Sequence, residues 1–342
     1  MHLPTPRGQV SQLLAAVLRT EPEAAELDQL QAALDSMLAE QGDVLFDDDM
    51  QLSLFMLYEL HYRGFEDADE NWEWNPGLLS LRQRIETVLE ERLRDIAGPA
   101  PQVEPQAAKV ADALFALAAD DSGPSVSRYV ARNASEEQAR EFLILKSMYQ
   151  LKEADPHTWA IPKLDGRAKA AMVEIQADEY GNGSLAKMHS ELYRATMRGL
   201  GLDDSFGAYV DKVPAIFLAS VNLISLFGMH RRLRGAITGH LAIYEMTSSI
   251  PNAAYARGFR RLGFESPVTD YFDEHVEADA VHEQIAGRDL AGGLVEAEPQ
   301  LMADVFFGAQ AAAAVDVLAG KWQLNAWQNG TSALYEAAEV LA

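Results

Sequence analysis

An all-α fold is the prediction from this sequence, and three observations make it. Apolar residues recur at helical spacing through most of the chain, as in "SQLLAAVL", "LDQLQAALDSMLAE" and "MQLSLFMLYELHYRGF", the pattern that gives a helix one buried face. Alternating β-branched runs, which would mark half-buried strands, are nearly absent. The chain has 342 residues, 48% hydrophobic and 23% charged, so it can bury a substantial core. The expected architecture is a bundle of about seven helices preceded by an N-terminal helical segment.

The elements follow in order. The three quoted stretches supply the N-terminal helices. Two breaks come next: "AGPAPQVEPQ" (97–106), with three prolines, and the turn-rich "ADDSGPS" (119–125). They suggest a division into residues 1–120 and residues 121–342, although the break reads equally well as a loop inside one bundle. "SEEQAREFLILKSMYQLKEAD" opens on a Ser and two Glu, an N-cap signature, and stops at Pro156. "DGRAKAAMVEIQADEYGNG" is a helix broken by Gly181 and Gly183, and "SLAKMHSELYRATMRGLG" is the next. "VPAIFLASVNLISLFG" is apolar nearly all round and is expected to be buried. Then come "HRRLRGAITGHLAIYEMTSSIP", the amphipathic "NAAYARGFRRLG", the acidic "DEHVEADAVHEQ" and an Ala-rich tail from about Glu298 to Gly320.

Composition narrows the function classes. There is no cysteine, which removes disulfides, thiolate metal sites and any cysteine nucleophile and fits a reducing compartment. The N-terminus has no basic region leading into a long apolar run, so no secretory signal is expected. No run near the ~20 apolar residues that span a bilayer is evident. The expectation is a cytoplasmic protein with no membrane partner. A formal charge of −24 opposes nucleic acid, whose phosphates need clustered Lys and Arg.

The chemistry lies in "DEHVEADAVHEQ". His275, Asp279 and His282 stand at i, i+4 and i+7, within an arc of roughly 60° on one helix face. Two imidazoles and a carboxylate suit divalent iron, manganese or zinc. An accident of phase on a solvated helix explains a lone pair of this kind more often than a ligand set does. A triplet is harder to explain that way in a chain with eight histidines. Other helices offer partners. Glu245 is surrounded by Ala, Ile, Tyr and Met in "GHLAIYEMTSS", Glu153 ends "SMYQLKEADPH", and His189 lies among Leu185, Met188 and Leu192. Glu179 precedes the Gly-Asn-Gly break, where backbone freedom would let a carboxylate shift. Each has a structural reading too: a surface Glu153, a Glu245 paired with Arg231 or Arg234, a hydrogen-bonded core His189. Converging carboxylates and histidines are nonetheless how helical bundles hold two irons. Arg231, Arg232 and Arg234 in "HRRLRG" read as an exposed basic turn before they read as a substrate clamp.

The motifs "LKEADPHTWAIPKL", "EIQADEYGNG" followed by "MH", "GHLAIYEMTS" and "DEHVEADAVHEQIA" resemble those of the haem-oxygenase-like diiron oxidases and oxygenases, over about Ser135 to Asp289. The resemblance implies a haem-oxygenase-like seven-helix bundle. It implies Glu153, Glu179, His189, Glu245, His275, Asp279 and His282 as ligands of two Fe(II) ions, with Glu179 the movable ligand. It further implies O2 as co-substrate, an external electron donor, a small amine- or amino-acid-like substrate, and N-hydroxylation as the preferred reaction. Desaturation and C–C cleavage occur on the same scaffold, and fold alone does not choose among them. The segment around "LYELHYRGF" resembles a region that pairs subunits in an N-oxygenase of the family, so a homodimer is expected. That relative continues into a cupin domain; this sequence stops at Ala342, so cupin chemistry is not expected. Haem oxygenase activity would leave the carboxylates unexplained, and thiamin degradation needs a Cys the chain lacks. A non-catalytic iron-binding protein is the remaining alternative.

Overall fold

The structure is a computed structural model that describes residues 1–22, 27–40, 42–120, 123 and 125–336, except for the side chains of residues 277, 279 and 280. It is all-α, with no strand among the described residues. The N-terminal segment folds as α1 (Gln9–Leu18), α2 (Asp28–Ala39), α3 (Asp48–Glu59) and α4 (Pro76–Ala97), followed by α5 (Ala107–Ala119) and α6 (Val126–Arg132). Then come α7 (Glu136–Gln150), the single-turn α8 (Asp155–Thr158), α9 (Gly166–Glu179), α10 (His189–Gly199) and α11 (Ala215–Met229). The chain finishes with α12 (Arg234–Arg261), α13 (Asp270–Gln284), α14 (Gly292–Ala297) and α15 (Met302–Gln328). From α7 on, α7, α9, α10, α11, α12, α13 and α15 are the helices of eleven residues or more, the seven long elements of the bundle.

Local chemistry explains the boundaries that matter. Ser135 caps α7: its hydroxyl accepts from the Gln138 N–H at 3.3 Å while the Gln138 side chain accepts from the Ser135 N–H at 3.1 Å. That reciprocal pair satisfies two donors a helix start would otherwise leave bare. The helix stops at Gln150, several residues short of Pro156, so Glu153 sits in a turn before α8. Helix α12 differs from the sequence expectation. The sequence suggests a break at Pro251, but α12 continues through it to Arg261. Tertiary packing of α12 against α13, α6 and α15 outweighs the lost backbone hydrogen bond.

The core is tight where α12 crosses α15. A Cβ on Gly239 would lie 1.8 Å from the Val305 carbonyl oxygen, and one on Gly308 would lie 1.9 Å from that of Ala236. Backbones meet directly at this crossing, which fixes the position of Glu245 farther along α12. Helix α11 is buried along almost its whole length, as its all-round apolarity predicts. Its Asn222 donates to the backbone and side-chain oxygens of Gln51 on α3, at 2.9 and 2.8 Å. A second tie joins the N-terminal segment to the bundle: Lys152 Nζ lies 2.6 Å from Glu59 Oε2, both groups buried. The segment Pro299–Gln328 is long and apolar enough to cross a membrane by length and composition, which the sequence reading did not anticipate. Half of its apolar stretch is buried in the protein, and it packs on α12, α11 and α4.

Replacing Gly239 or Gly308 by Ala is expected to cost about 1–3 kcal/mol, the usual penalty for overpacking. The thermal midpoint should fall by roughly 1–4 °C, with Gly42→Ala, where an added Cβ meets nothing within 4 Å, unchanged. Equal midpoints for all three variants in a calorimetric scan would show that the crossing is not close-packed.

Candidate metal centre

Residues from five segments converge on one buried point. Glu153 comes from the turn after α7, Glu179 from the last residue of α9, and His189 from the first residue of α10. Glu245 comes from the middle of α12, and His275 and His282 from α13. All six are buried. Asp279 lies outside the residues whose side chains the structure describes.

The donor atoms form two groups. Those of Glu153, Glu179, His189 and His275 lie within 4.8 Å of one another, and so do those of Glu179, Glu245 and His282. Glu179 belongs to both. Donors at ~2.1 Å from one divalent ion lie at most ~4.2 Å apart, so either group would close on an ion with shifts under about 1 Å. The seven-residue step from His275 to His282 thus serves two groups, one imidazole to each, and answers why an acidic helix carries histidines on one stripe.

The path from α9 to α10 explains how Glu179 and His189 meet. Gly181, Asn182 and Gly183 all take left-handed conformations, with φ of 62°, 52° and 80°. A Cβ on Gly181 would come within 2.6 Å of the Lys187 carbonyl carbon and the Met188 nitrogen. Only glycine permits that approach, which folds the chain back and sets His189 Nδ1 2.9 Å from Glu179 Oε2.

Neighbouring groups aim the imidazoles. His275 Nδ1 lies 2.7 Å from the Tyr271 carbonyl; a proton on Nδ1 makes that hydrogen bond and leaves Nε2, 3.5 Å from Glu153 Oε1, as the lone-pair side. His282 Nε2 donates to Asp178 Oδ2 at 2.9 Å, so Nδ1 faces Glu245 Oε2 at 3.4 Å. Asp178 is held in turn by the Asn182 side-chain amide at 2.6 Å. Tyr271 Oη donates to both oxygens of Glu153, at 2.9 and 3.1 Å. Tyr271 and Asp178 were not foreseen. Tyr271 stands four residues before His275, a spacing that could have flagged it, whereas Asp178 pairs with His282 only through the tertiary fold.

Electrostatics show what the cluster lacks. Burial pushes the Glu179 carboxyl up, but the imidazoles of His189, His275 and His282 outweigh it and hold the group down to about 2. Burial lowers the His282 imidazole, yet Glu245, Asp178 and Glu179 together lift it to about 9. His189 is raised in the same contest, chiefly by Glu179, while burial raises Glu245. Three buried carboxylates are drawing positive charge from wherever it is available. Glu179 Oε2, His189 Nδ1 and His282 Nδ1 are buried and make no well-directed hydrogen bond among the described residues, although charge draws the first two to 2.9 Å and His282 Nδ1 to 3.4 Å from Glu245. Buried polar atoms without good partners are costly, and a divalent cation in each donor group would satisfy all three. A donor set of carboxylate oxygens and imidazole nitrogens fits iron.

Beside the cluster lies a cavity of about 200 Å³, touched by Glu153, Glu179, Glu245 and His275 and lined in part by aromatic side chains from α7, α10, α11, α12 and α13. A second buried histidine pair, His157 Nε2 to His240 Nδ1 at 3.0 Å, lies at its edge. Burial lowers His157 to about 4, so the pair is neutral. The "HRRLRG" arginines are remote from these carboxylates: Arg232 pairs with Glu90 at 2.5 Å and Arg234 with Glu298. Glu245 therefore does not use an arginine as its partner.

Comparison with known proteins agrees with this geometry. A family profile described as iron-containing redox enzyme matches residues 140–317. The nitrosourea synthase of Streptomyces achromogenes subsp. streptozoticus is 26% identical over 187 residues, 54% of this chain and 40% of that protein. The match thus spans well under half of the relative's length.

Asp178 should matter for metal affinity although it is in neither donor group. Asp178→Asn removes the charge that fixes the His282 ring, and iron should be held about 10–100-fold more weakly in a chelator competition. Unchanged retention would show that His282 needs no such partner.

Proposed function

The chain belongs to the family of iron-containing redox enzymes, and from that premise we propose an O2-dependent, non-haem diiron oxidoreductase acting on a small amine- or amino-acid-like metabolite. The observation that carries this reading is the sharing of Glu179 between two buried donor groups, the arrangement expected of a carboxylate that bridges two ions. Glu153, His189 and His275 would hold one Fe(II), and Glu245 and His282 the other; Asp279 is kept as a further ligand from its place between the two histidines. The paired irons would supply the electrons that activate O2.

The chain's own residues do the rest. Carboxylates offset the charge of two cations that would otherwise repel in a medium of low polarity. Neutral imidazoles, their outer nitrogens engaged by Asp178 and the Tyr271 carbonyl, complete each set without adding charge. The cavity, lined in part by aromatic rings, leaves space for a substrate beside the donor groups. N-hydroxylation is the preferred reaction, supported by the relative's name, which points to chemistry at nitrogen. One oxygen atom of O2 enters the N–H bond, the other leaves as water, and an external donor provides two electrons and two protons. Desaturation and C–C cleavage need the same site and differ in how the substrate lies in the cavity. The cavity itself favours an enzyme over an iron store, which has no use for a lined space next to the metal.

Metal analysis after anaerobic Fe(II) loading tests the assignment. The wild type should retain two irons per chain, His275→Ala and His282→Ala about one each, and Glu179→Ala less than one, because it alone serves both groups. Full loading in Glu179→Ala and His275→Ala would refute the ligand set. Admitting O2 to the loaded protein should produce a transient visible absorption band, and a loaded protein that stays silent is a binding or storage protein.

A further inference from the structure

One pair of charges in the cavity belongs to neither donor group. Asp316, on α15, and Lys146, on α7, both line it. Asp316 has an open surface, yet so much protein surrounds it that burial pushes its carboxyl up, with Lys146 and Tyr244 pulling it partly back. The two observations agree if the open side faces the cavity. Lys146 is close enough to act on Asp316 but makes no ion pair or hydrogen bond with any described residue. Opposite charges face a common space without meeting.

The rings around them suit a cation. Tyr244, Ser220 and Tyr255 line the cavity with Asp316, and both tyrosines are near enough to feel the Asp316 charge. Carboxylate and aromatic faces together are what an ammonium prefers. Tyr149 connects this end to the other: its ring lies 5.9 Å from Tyr244, while it also feels Glu153, Glu179 and Glu245. A molecule held at Asp316 and Lys146 therefore extends past Tyr149 toward the donor groups. At about 200 Å³ the space is below the ~300–1,000 Å³ of drug-sized sites and matches a small metabolite.

We propose that Asp316 and Lys146 form a receptor for a zwitterionic amino acid, Asp316 taking the α-ammonium and Lys146 the α-carboxylate, so that a nitrogen-bearing side chain is presented to the metal centre. The proposal rests on the diiron reading for what happens to that nitrogen, but the receptor itself does not need iron to bind. It narrows the substrate class from amines in general to amino acids whose side chains end in nitrogen.

Calorimetric titration of the full chain, iron-free and anaerobically Fe(II)-loaded, tests it with two sets of probes. L-lysine is compared with cadaverine, which lacks the carboxylate, and 6-aminohexanoate, which lacks the α-ammonium. L-arginine is compared with agmatine and 5-guanidinopentanoate in the same way. At least one amino acid should bind about tenfold or more tightly than both of its truncated forms, the loss expected for one charged hydrogen bond. Asp316→Asn should abolish the preference over the deaminated acid, and Lys146→Met the preference over the decarboxylated amine, with iron content unchanged in both. Absence of binding by both amino acids, or equal binding of truncated forms by the wild type, overturns the proposal even if neither variant folds. Iron content separates the two ideas: a preference for the amino acid in a protein that fails to load iron keeps the receptor and sinks the diiron reading, and the reverse result does the opposite.

Discussion

Three carboxylates buried at one point set the terms for everything around them. Glu153, Glu179 and Glu245 are all buried, and unpaired charges in a protein interior cost several kcal/mol each. The bundle tolerates them only because His189, His275 and His282 arrive at the same place. The imidazoles offset the carboxylate charge, which is why Glu179 is held low and His189 and His282 are raised. In the proposed diiron reading, a divalent cation in each donor group would meet the same need. The cluster is stable as a receptor for positive charge, and its other properties follow from that.

Holding six side chains at one point requires rigid supports, and the fold provides them at some distance. The glycine crossing of α12 on α15 brings backbones into contact, so α12 cannot slide and Glu245 cannot withdraw. The buried Lys152–Glu59 pair and the Asn222–Gln51 hydrogen bonds tie the N-terminal helices to the turn after α7 and to α11. Lys152 immediately precedes Glu153, and its ammonium also lies over the Tyr62 ring at 4.1 Å. The turn that carries Glu153 is therefore anchored from a segment well over fifty residues away in sequence. Close packing transmits such constraints because an interior at crystal density leaves little slack.

Much of this was legible in the residues, because helical periodicity and in-phase ligands are local signals. The all-round apolarity of "VPAIFLASVNLISLFG" marks a buried helix, and the spacing of His275 and His282 marks the stripe of α13 that joins the two buried donor groups. Glu245 was visible as a carboxylate among apolar neighbours. What escaped was set by tertiary contact. Pro251 looked like a helix end, but packing carries α12 through it. Asp178 carries no signal in the sequence, and only the approach of α13 turns it into the partner of His282. The Gly-Asn-Gly break read as a source of freedom for Glu179. Gly181 has a second role, a close backbone approach that needs the absence of a side chain. The Ala-rich tail gave no sign that Asp316 would face a cavity.

The two donor groups differ in a way that helix electrostatics makes consequential. Glu245 and His282 stand within helices, whereas Glu179 is the last residue of α9 and His189 the first of α10. A helix C-terminus carries partial negative charge and an N-terminus partial positive charge. Glu179 thus sits where a carboxylate is least welcome, and His189 where an imidazolium is least welcome. Both placements weaken the solution in which a proton bridges the pair, and a neutral His189 is also the form that offers a lone pair to a metal. The same backbone that brings these residues within 2.9 Å therefore disfavours the ion pair they would form alone. A cation between them removes the conflict, since it satisfies the carboxylate without requiring the imidazole to be charged. The bias is built by where two helices end, and the left-handed turn between them is what makes those ends adjacent.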